Sequence, residues 1–322
     1  MLSVKKVSPL GFLILGIVVA EILVFVPSTT EELERTSFVI PSSQASFSIH
    51  GFHAVHLNQQ GQKEVIKAKE AELFKKEGYS ILKEVEIRIF SKGDHAFRIT
   101  GNKGKYYMEK RDVELFDNIL IVSENLGYEM TTDYLKYIAS ESLLLSDRNL
   151  YLSGPNPKNP SFVLTGRGLR ADMEKEELNI SDNVHCKKND EGAEGIEIDS
   201  ENAKIFLNLN EALFRSNVVV KQRDMNIFTD NFLVTFNSYN RSMDKAKAFD
   251  FVKIVQGDRI ATCKTAFLLN REKKVVMRGQ PKVMRGKDVI EAKIIIFFTA
   301  ENKILFDEAI GEVDMERTKE LN

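Results

Sequence analysis

A short motif decides the fold: it first appears as Ile66-Lys67-Ala68-Lys69 and returns about every 30 to 33 residues. Most copies continue through a Tyr, Leu or Phe, a polar turn and an apolar segment. The eight copies are Ile66-Lys67-Ala68-Lys69, Ile99-Thr100-Gly101-Asn102, Met130-Thr131-Thr132-Asp133, Leu164-Thr165-Gly166-Arg167, Ile198-Asp199-Ser200-Glu201, Ile227-Phe228-Thr229-Asp230, Ile260-Ala261-Thr262-Cys263 and Ile290-Glu291-Ala292-Lys293. A repeat of this period is typical of stacked architectures, in which no unit buries its apolar face alone.

Alternation of apolar and polar residues predicts that each unit consists of β-strands. Val85, Ile87 and Ile89 alternate with charged residues, and polar turns such as Arg285-Gly286-Lys287 separate the apolar segments. The stretch from Gly61 to Ser80 has strong helix propensity. Its register matches the other units, so we predict strands there too. The sequence therefore predicts an all-β fold of stacked antiparallel strands.

Composition and charge narrow the class of protein. Hydrophobic residues make up 43% of the chain and charged residues 29%, which is typical of a globular protein. The net charge is −2 with interspersed signs, and without a basic stripe we expect no nucleic-acid partner. Cys186 and Cys263 lie in distant units, beyond the reach of a disulfide in a stack of strands, so we predict two free thiols.

The N-terminal region predicts a membrane anchor. Leu10 to Val26 is apolar except for Glu21, with Lys5 and Lys6 before it and acidic residues after it. This length is near the minimum for a bilayer span, and the charges place the N-terminus in the cytoplasm. A cleaved signal peptide is the alternative, but small residues at a cleavage site are missing. Glu21 either reaches the outer interface or docks against a neighbouring transmembrane helix.

The sequence contains only weak indications of a catalytic or metal-binding site. His50, His53 and His56 would converge on a helix, but on a strand His53 points away from the other two. No nucleotide-binding loop or hydrolase motif is present in the sequence, and carboxylates such as Asp112, Glu114 and Asp117 fit solvated strand edges. We therefore predict a protein that is not an enzyme and uses no metal and no cofactor.

The order of several segments resembles the LptC family of inner-membrane-anchored proteins of lipopolysaccharide export. After the short anchor, the resemblance covers about residues 10 to 188. It is carried by Val65-Ile66-Lys67-Ala68-Lys69-Glu70-Ala71, Leu82-Lys83-Glu84-Val85-Glu86-Ile87, Gly101-Asn102-Lys103-Gly104-Lys105-Tyr106, Leu115-Phe116-Asp117-Asn118-Ile119-Leu120-Ile121, Met130-Thr131-Thr132-Asp133-Tyr134-Leu135-Lys136-Tyr137, Gly166-Arg167-Gly168-Leu169-Arg170-Ala171-Asp172 and Leu178-Asn179-Ile180-Ser181-Asp182-Asn183-Val184.

About 120 further residues of the same repeat follow, and they resemble the soluble bridge protein of that pathway, LptA or OstA-like. The similar segments are Ala203-Lys204-Ile205-Phe206, Phe214-Arg215-Ser216-Asn217-Val218-Val219-Val220 and Phe228-Thr229-Asp230-Asn231-Phe232-Leu233. A polar, glycine-bearing stretch from Lys187 to Gly195 separates the two parts. The expected organisation is a cytoplasmic N-terminus (1–9), an anchor (10–27), a linker (28–44), an LptC-like domain (45–188), a linker (189–195), an LptA/OstA-like domain (196–311) and a polar tail (312–322).

The resemblance implies an open, V-shaped β-jelly roll in the periplasm, held on the inner membrane by a single-pass anchor, whose apolar groove carries the acyl chains of lipopolysaccharide. The implied partners are an inner-membrane ABC transporter complex (LptB/LptF/LptG-like) and an LptA-like bridge protein or an outer-membrane LptD-like translocon. The residues expected to face the groove are Ile87, Ile89, Leu115, Ile121, Leu178, Ile180, Ile198, Val218, Val220, Phe232, Val234 and Ile294.

Free sheet edges are expected to dock these partners, because an unpaired edge strand aggregates unless it is used or protected. We place the membrane-proximal edge at Ser46 to Leu57 and the far edge at Val289 to Phe298, where Ile290, Ala292, Ile294, Ile296 and Phe298 alternate. Glu21 is a further candidate for docking. The competing interpretation is a membrane-tethered periplasmic β-solenoid scaffold or adhesin, in which the same apolar residues form a dry core.

Overall fold

The computed structural model describes residues 45–57, 63–90, 96–189, 195–239, 241–299, 301 and 303–312. The predicted anchor with Glu21, the linker over 28–44 and most of the polar tail lie outside these ranges. Within them, no helix is long and apolar enough to cross a membrane. All described strands belong to one compact unit, Pro41–Asn322.

The fold is all-β, as the alternation predicts, and the one helical element among the described residues is a 3-10 turn at Ala139–Glu141. The helix-prone stretch after Gly61 is a strand, which confirms that its register outweighs its propensity. The strands are β1 (Phe47–Leu57), β2 (Lys63–Phe74), β3 (Tyr79–Phe90), β4 (Ala96–Tyr107), β5 (Val113–Ser123), β6 (Tyr128–Ile138), β7 (Leu143–Gly154), β8 (Phe162–Asp172), β9 (Glu177–Lys188), β10 (Ile196–Ser200), β11 (Asn202–Phe206), β12 (Glu211–Gln222), β13 (Met225–Phe236), β14 (Met243–Gln256), β15 (Arg259–Leu269), β16 (Lys274–Arg278), β17 (Lys282–Arg285), β18 (Asp288–Glu291), β19 (Ile294–Phe298), β20 (Lys303–Asp307) and β21 (Ile310–Glu312).

The strands form one antiparallel meander, in which each strand position pairs with the position before it and the position after it. Four positions are filled by two short strands that lie end to end: β10 with β11, β16 with β17, β18 with β19, and β20 with β21. Between β9 and β12, for example, β10 and β11 together occupy a single position. The polar stretch between β9 and β10 therefore does not interrupt the sheet.

Most of the strands are irregular near their middle, and this irregularity bends the sheet. In β5, β12 and β14 the register shifts at Asp117-Asn118, Ser216-Asn217 and Asp250-Phe251, and all six residues have positive φ. A β-bulge leaves residues unpaired and bends its strand. Because the interruptions lie side by side, the sheet bends along one line into two layers.

The recurring motif has a fixed place in this geometry. Its copies lie on β2, β4, β6, β8, β10, β13, β15 and β18, which are alternate strand positions, and each copy ends at or next to the interruption. We call the half-strands that contain these copies, with their paired neighbours, the first layer, and the remaining half-strands the second layer. In the first six copies the first and third residues are buried. In the seventh copy the buried residues are Ala261 and Cys263, which are the second and fourth residues. The sequence alignment therefore places this copy one residue too early. A displacement of one residue exchanges the two faces of a strand.

The predicted far edge is wrong. Val289–Phe298 corresponds to β18 and β19, which are paired on both sides, and β20 with β21 forms the edge of the described sheet. The alternation in Lys303-Ile304-Leu305-Phe306-Asp307 supports one more strand than the sequence analysis placed there. At the opposite end, β1 pairs with β2 alone among the described strands, and most of its side chains are exposed.

The cysteines are free and buried, in agreement with the sequence analysis. Burial raises the pKa of the Cys186 thiol to about 12 and that of the Cys263 thiol to about 11. Both thiols are therefore protonated and poorly reactive at neutral pH.

Small residues at the third motif position allow close packing at the bend, which leads to a prediction. A Cβ on Gly166 would lie 2.6 Å from Ile180 Cγ2, whereas a Cβ on Gly101, at the same motif position, would have its nearest neighbours at 3.5 Å. Gly166→Ala should lower the free energy of unfolding by about 1–3 kcal/mol through overpacking. Gly101→Ala is the matched control and should be neutral or slightly stabilising. Urea unfolding of both variants measures the difference, and equal midpoints would contradict the prediction.

Candidate functional site

Apolar side chains on the inner face of the first layer form a continuous lane across the sheet. Each residue of this first lane is directly opposite the next one in the pairing of neighbouring strands. The first lane consists of Ala54, Ile66, Ile87, Ile99, Ile121, Met130, Leu152, Leu164, Cys186, Ile198, Val220, Ile227, Ile254, Ala261, Val283 and Ile290. Paired strands lie about 4.8 Å apart, so no polar residue separates one residue of the lane from the next.

A second lane crosses the second layer in the same way. It consists of Tyr106, Val113, Tyr137, Leu144, Ala171, Leu178, Ile205, Ala212, Val234, Ala246, Leu268, Val275, Phe297 and Ile304. The two lanes contribute to one hydrophobic core. Both lanes pass without a break from β9 to β12.

A cavity of about 380 Å³ separates the lanes near the middle of the sheet. Ile121, Met130 and Leu152 of the first lane line it on one side, and Leu144, Leu178 and Ile205 of the second lane line it on the other. Charged residues also contribute to its wall: Asp172, Glu176, Lys188, Glu211 and Arg241. A cavity with apolar walls and a few polar groups suits a ligand with an apolar body and a polar end.

The cations of this cavity are held in place by neighbouring groups. Lys188 is 6% exposed, and its Nζ donates a hydrogen bond to Ser161 Oγ at 3.4 Å. Arg241 donates a hydrogen bond to Asn210 Oδ1 at 2.6 Å. Both side chains are thus positioned beside apolar walls.

Most residues that the sequence analysis assigned to the groove lie on the inner faces. Ile87, Ile121, Ile198 and Val220 belong to the first lane, and Leu178 and Val234 belong to the second. Five more are buried at neighbouring inward positions of the same strands: Ile89, Leu115, Ile180, Val218 and Phe232.

Ile294 is the exception among these residues. It pairs with Arg278 and Asp307 and is partly exposed, whereas the next residue, Ile295, is completely buried. The interruption between β18 and β19 changes which residues point inward, so the alternation from Ile290 to Phe298 does not continue on one face. The inward position at this point is Ile295.

The residues assigned to partner docking occupy different environments. Ser46 donates its backbone N–H to Leu73 O at 2.7 Å just before β1, and Leu57, at the end of β1, is 66% exposed. Val289 and Phe298 are only partly buried, but they lie on strands that already have two neighbours. Only the first pair therefore lies at a sheet edge.

Polar side chains cross the space between the layers at the β1 end, and the sequence analysis did not identify them. Tyr137 in the second layer donates a hydrogen bond to the Glu64 carboxylate in the first layer. His56, opposite Glu64 on β1, shares a hydrogen bond with the Tyr106 hydroxyl, with 2.9 Å between His56 Nε2 and the oxygen. His50 and His53 are exposed, so the three histidines do not converge.

Burial controls the protonation of this cluster. It raises the pKa of Glu64, and both the bond from Tyr137 and the positive charge of Arg111 oppose that rise. Burial also raises the pKa of Tyr137 and Tyr106. Burial and the positive charge of Arg111 both lower the pKa of His56. Burial therefore favours the neutral form of all four side chains.

Comparisons with known proteins identify the family to which the chain belongs. Residues 13–189 match a family model described as lipopolysaccharide-assembly, LptC-related, and residues 197–303 match one described as LptA/(LptD N-terminal domain) LPS transport protein. Among curated proteins none matches the chain. A similar solved structure is LptH of Pseudomonas aeruginosa, the LptA-homologous periplasmic component of its lipopolysaccharide transport device. The identity is 14%, the match covers 37% of this chain and 94% of that one, and the TM-score is 0.34. Because the LptC-related model spans more than half of its length, this chain belongs to the LptC-related family of lipopolysaccharide assembly, and an LptA-like domain follows in the same chain.

Proposed function

We propose that the protein carries lipopolysaccharide along the space between its two lanes, as one component of a transenvelope bridge. It receives the lipid from an inner-membrane ABC transporter complex of LptB/LptF/LptG type and passes it toward the outer membrane, to an LptA-like subunit or an LptD-like translocon. The predicted anchor at 10–27 holds it on the inner membrane with its body in the periplasm. The partner ATPase supplies the energy, and this chain catalyses no reaction.

The observation that supports this proposal best is the continuity of both lanes from the LptC-like part into the LptA-like part, with a cavity at that point. Acyl chains need a continuous apolar surface, and each Å² removed from water contributes about 25 cal/mol. Successive residues of a lane offer nearly equal apolar environments, so an acyl chain meets no large free-energy barrier as it moves from one to the next. The sugar head remains in water at the open side of a V-shaped jelly roll.

The two sheet edges suit the proposed assembly. An edge strand binds a partner strand through its free backbone groups, which supply affinity, while its side chains fix the register. We assign docking of the membrane complex to β1, from Ser46 to Leu57, and docking of the next subunit to β20 and β21. Both junctions would extend the lanes into the neighbouring protein.

Photo-crosslinking tests the assignment of the inner faces. A photoreactive residue at Leu178 or Ile198 should capture lipopolysaccharide in cells, because both side chains face the space between the layers. The matched controls are Asn179, which pairs with Arg170 and Lys204, and Glu197, which forms an ion pair with Lys187. These outward neighbours should give little capture. Equal capture at inward and outward positions would contradict the groove.

Mass spectrometry separates the groove from the dry scaffold. The full-length protein, purified from its membrane, should carry lipid A-containing molecules, because the cavity and lanes stay apolar during purification. A protein with a dry core would carry none. If no lipid is detected, and a photoreactive residue at Leu178 also captures no lipopolysaccharide, the scaffold interpretation is favoured.

Crosslinking also tests the far edge. Leu305 on β20 is 43% exposed, and a photoreactive residue there should capture a downstream bridge subunit. Thr265 is a matched control, since it lies on the outer face of β15, which has neighbours on both sides. Capture from Thr265 but not from Leu305 would place the junction on the outer face of the sheet.

A further inference from the structure

The end of the lanes near β1 contains a cluster that an apolar groove does not need. Glu64 is 3% exposed and lies two residues before Ile66, on the same inward face of β2. Tyr106 and Tyr137 lie on either side of Val113 in the second lane. Elsewhere both lanes are apolar, so a carboxyl group at this point has a desolvation cost that ordinary core packing would avoid.

The cluster joins the two layers. Glu64 and His56 belong to the first layer, on β2 and β1, while their hydrogen-bond partners Tyr137 and Tyr106 belong to the second layer, on β6 and β4. The rings of His56 and Tyr106 are also stacked, with 6.3 Å between their centroids. These contacts close the space between the layers at this end.

Water has access to the cluster from one side. A second cavity, of about 680 Å³, is lined by Glu64 together with Leu57, Ile138, and the turn from Glu109 to Asp112. The cluster therefore separates the apolar lanes from a polar, open space next to edge strand β1. A side chain released from the cluster can turn toward that water without unfolding a strand.

We propose that the Glu64–Tyr137 and His56–Tyr106 pairs form a latch that holds β1 and β2 against β4 and β6, and that acyl chains enter the lanes at this end only when the latch opens. This inference rests on the proposed function, because it concerns admission of the same lipid. The latch consists of a few hydrogen bonds rather than interdigitated apolar side chains, and hydrogen bonds exchange readily with water. It can therefore open and close while the rest of the core stays packed.

The two hydrogen-bonded pairs of the latch respond to pH in opposite directions, and the response of the first pair is set by Glu64. The charged and titratable groups around it are His56 on β1, Tyr106 on β4, Arg111 and Asp112 in the following turn, and Tyr137 on β6. The closed latch lowers the pKa of His56, so the contribution of the His56–Tyr106 pair to closure is lost as the pH falls through that lowered pKa. The closed latch raises the pKa of Glu64 above that of a solvated carboxyl, so the contribution of Glu64 to closure is fully present at acidic pH. It weakens as the pH rises through the pKa of the buried group.

Distance measurements between the layers test the latch directly. Spin labels at Lys67→Cys, on the outer face of β2, and Lys136→Cys, on the outer face of β6, report the separation of the layers in the full-length protein. The buried native thiols react poorly and leave the labels at the introduced sites. Tyr137→Phe removes one hydroxyl and keeps the ring, and it should add a population with a longer distance. Tyr134→Phe is the matched control, since Tyr134 is buried on the same strand beside Phe116, and it should leave the distances unchanged.

Lipid entry is the second measurement. In the Tyr137→Phe variant, lipopolysaccharide capture by a photoreactive residue at Ile87 should increase several-fold, and it should remain unchanged in Tyr134→Phe. An unchanged distance distribution in folded Tyr137→Phe protein overturns the latch. A longer distance without increased capture overturns its role in admission. If photoreactive residues at Leu178 and Ile198 capture no lipopolysaccharide in a protein with an intact latch, the proposed function fails. The distance measurements still decide whether the layers are latched.

A pH series keeps the test valid if Tyr137→Phe does not fold. At mildly alkaline pH, where Glu64 is ionised and His56 is neutral, the longer-distance population of the labelled, otherwise unsubstituted protein should exceed that of the labelled Glu64→Gln variant. Glu64→Gln preserves a hydrogen-bonding group that cannot ionise, so it should remove the part of the pH dependence that Glu64 causes and keep only the part that His56 causes at acidic pH. Parallel pH profiles in the two proteins would overturn the latch.

Discussion

The whole structure depends on the register between neighbouring strands. Most strands are long enough to cross two layers, and they do so because each is interrupted near its middle at a place that matches the interruption in its neighbours. At four positions two short strands that lie end to end cover the two layers. If one interruption moved along its strand, the bend would lose continuity and inward residues on one side of it would meet outward residues on the other. Residues before the bend take part in this alignment: Gly166 leaves room for Ile180 on the neighbouring strand, and Thr132 donates a hydrogen bond to Asn149 O next to the interruption in β7.

The sequence predicts the parts of this structure that depend on local alternation. The repeat, the strand character of the helix-prone stretch in β2 and the inward residues of the LptC-like part follow from period-two patterns, which burial on one face enforces. The error at Ile294 arises because an interruption changes the phase of the alternation and leaves no distinct signature in composition. The error at Ile260 has a different cause, since that copy of the motif was aligned one residue too early. The additional edge strand at Lys303 was missed because its five residues carry only a short pattern.

The polar pairs between the layers were beyond sequence reasoning for a different reason. Glu64 and Tyr137 are separated by 73 residues, and their contact depends on the bend, which brings opposite halves of different strands together. The signal that was available is the inward position of Glu64, which shares a face with Ile66. A charged residue at an inward position of a strand indicates either a wrong phase or a buried partner, and here it has a partner.

The two-strand unit restricts how a protein of this kind can change its length. Adding or deleting one residue within a strand would reverse the faces of everything up to the next turn, whereas adding or deleting a complete unit leaves both lanes in phase. A unit adds two strand spacings, so the reach of the molecule changes in steps of about 10 Å. The joining of an LptC-like part and an LptA-like part through β9, β10 and β11 is one such change, because it adds whole units. Chains of this architecture can therefore change their length by gaining or losing hairpins, and both apolar lanes are preserved.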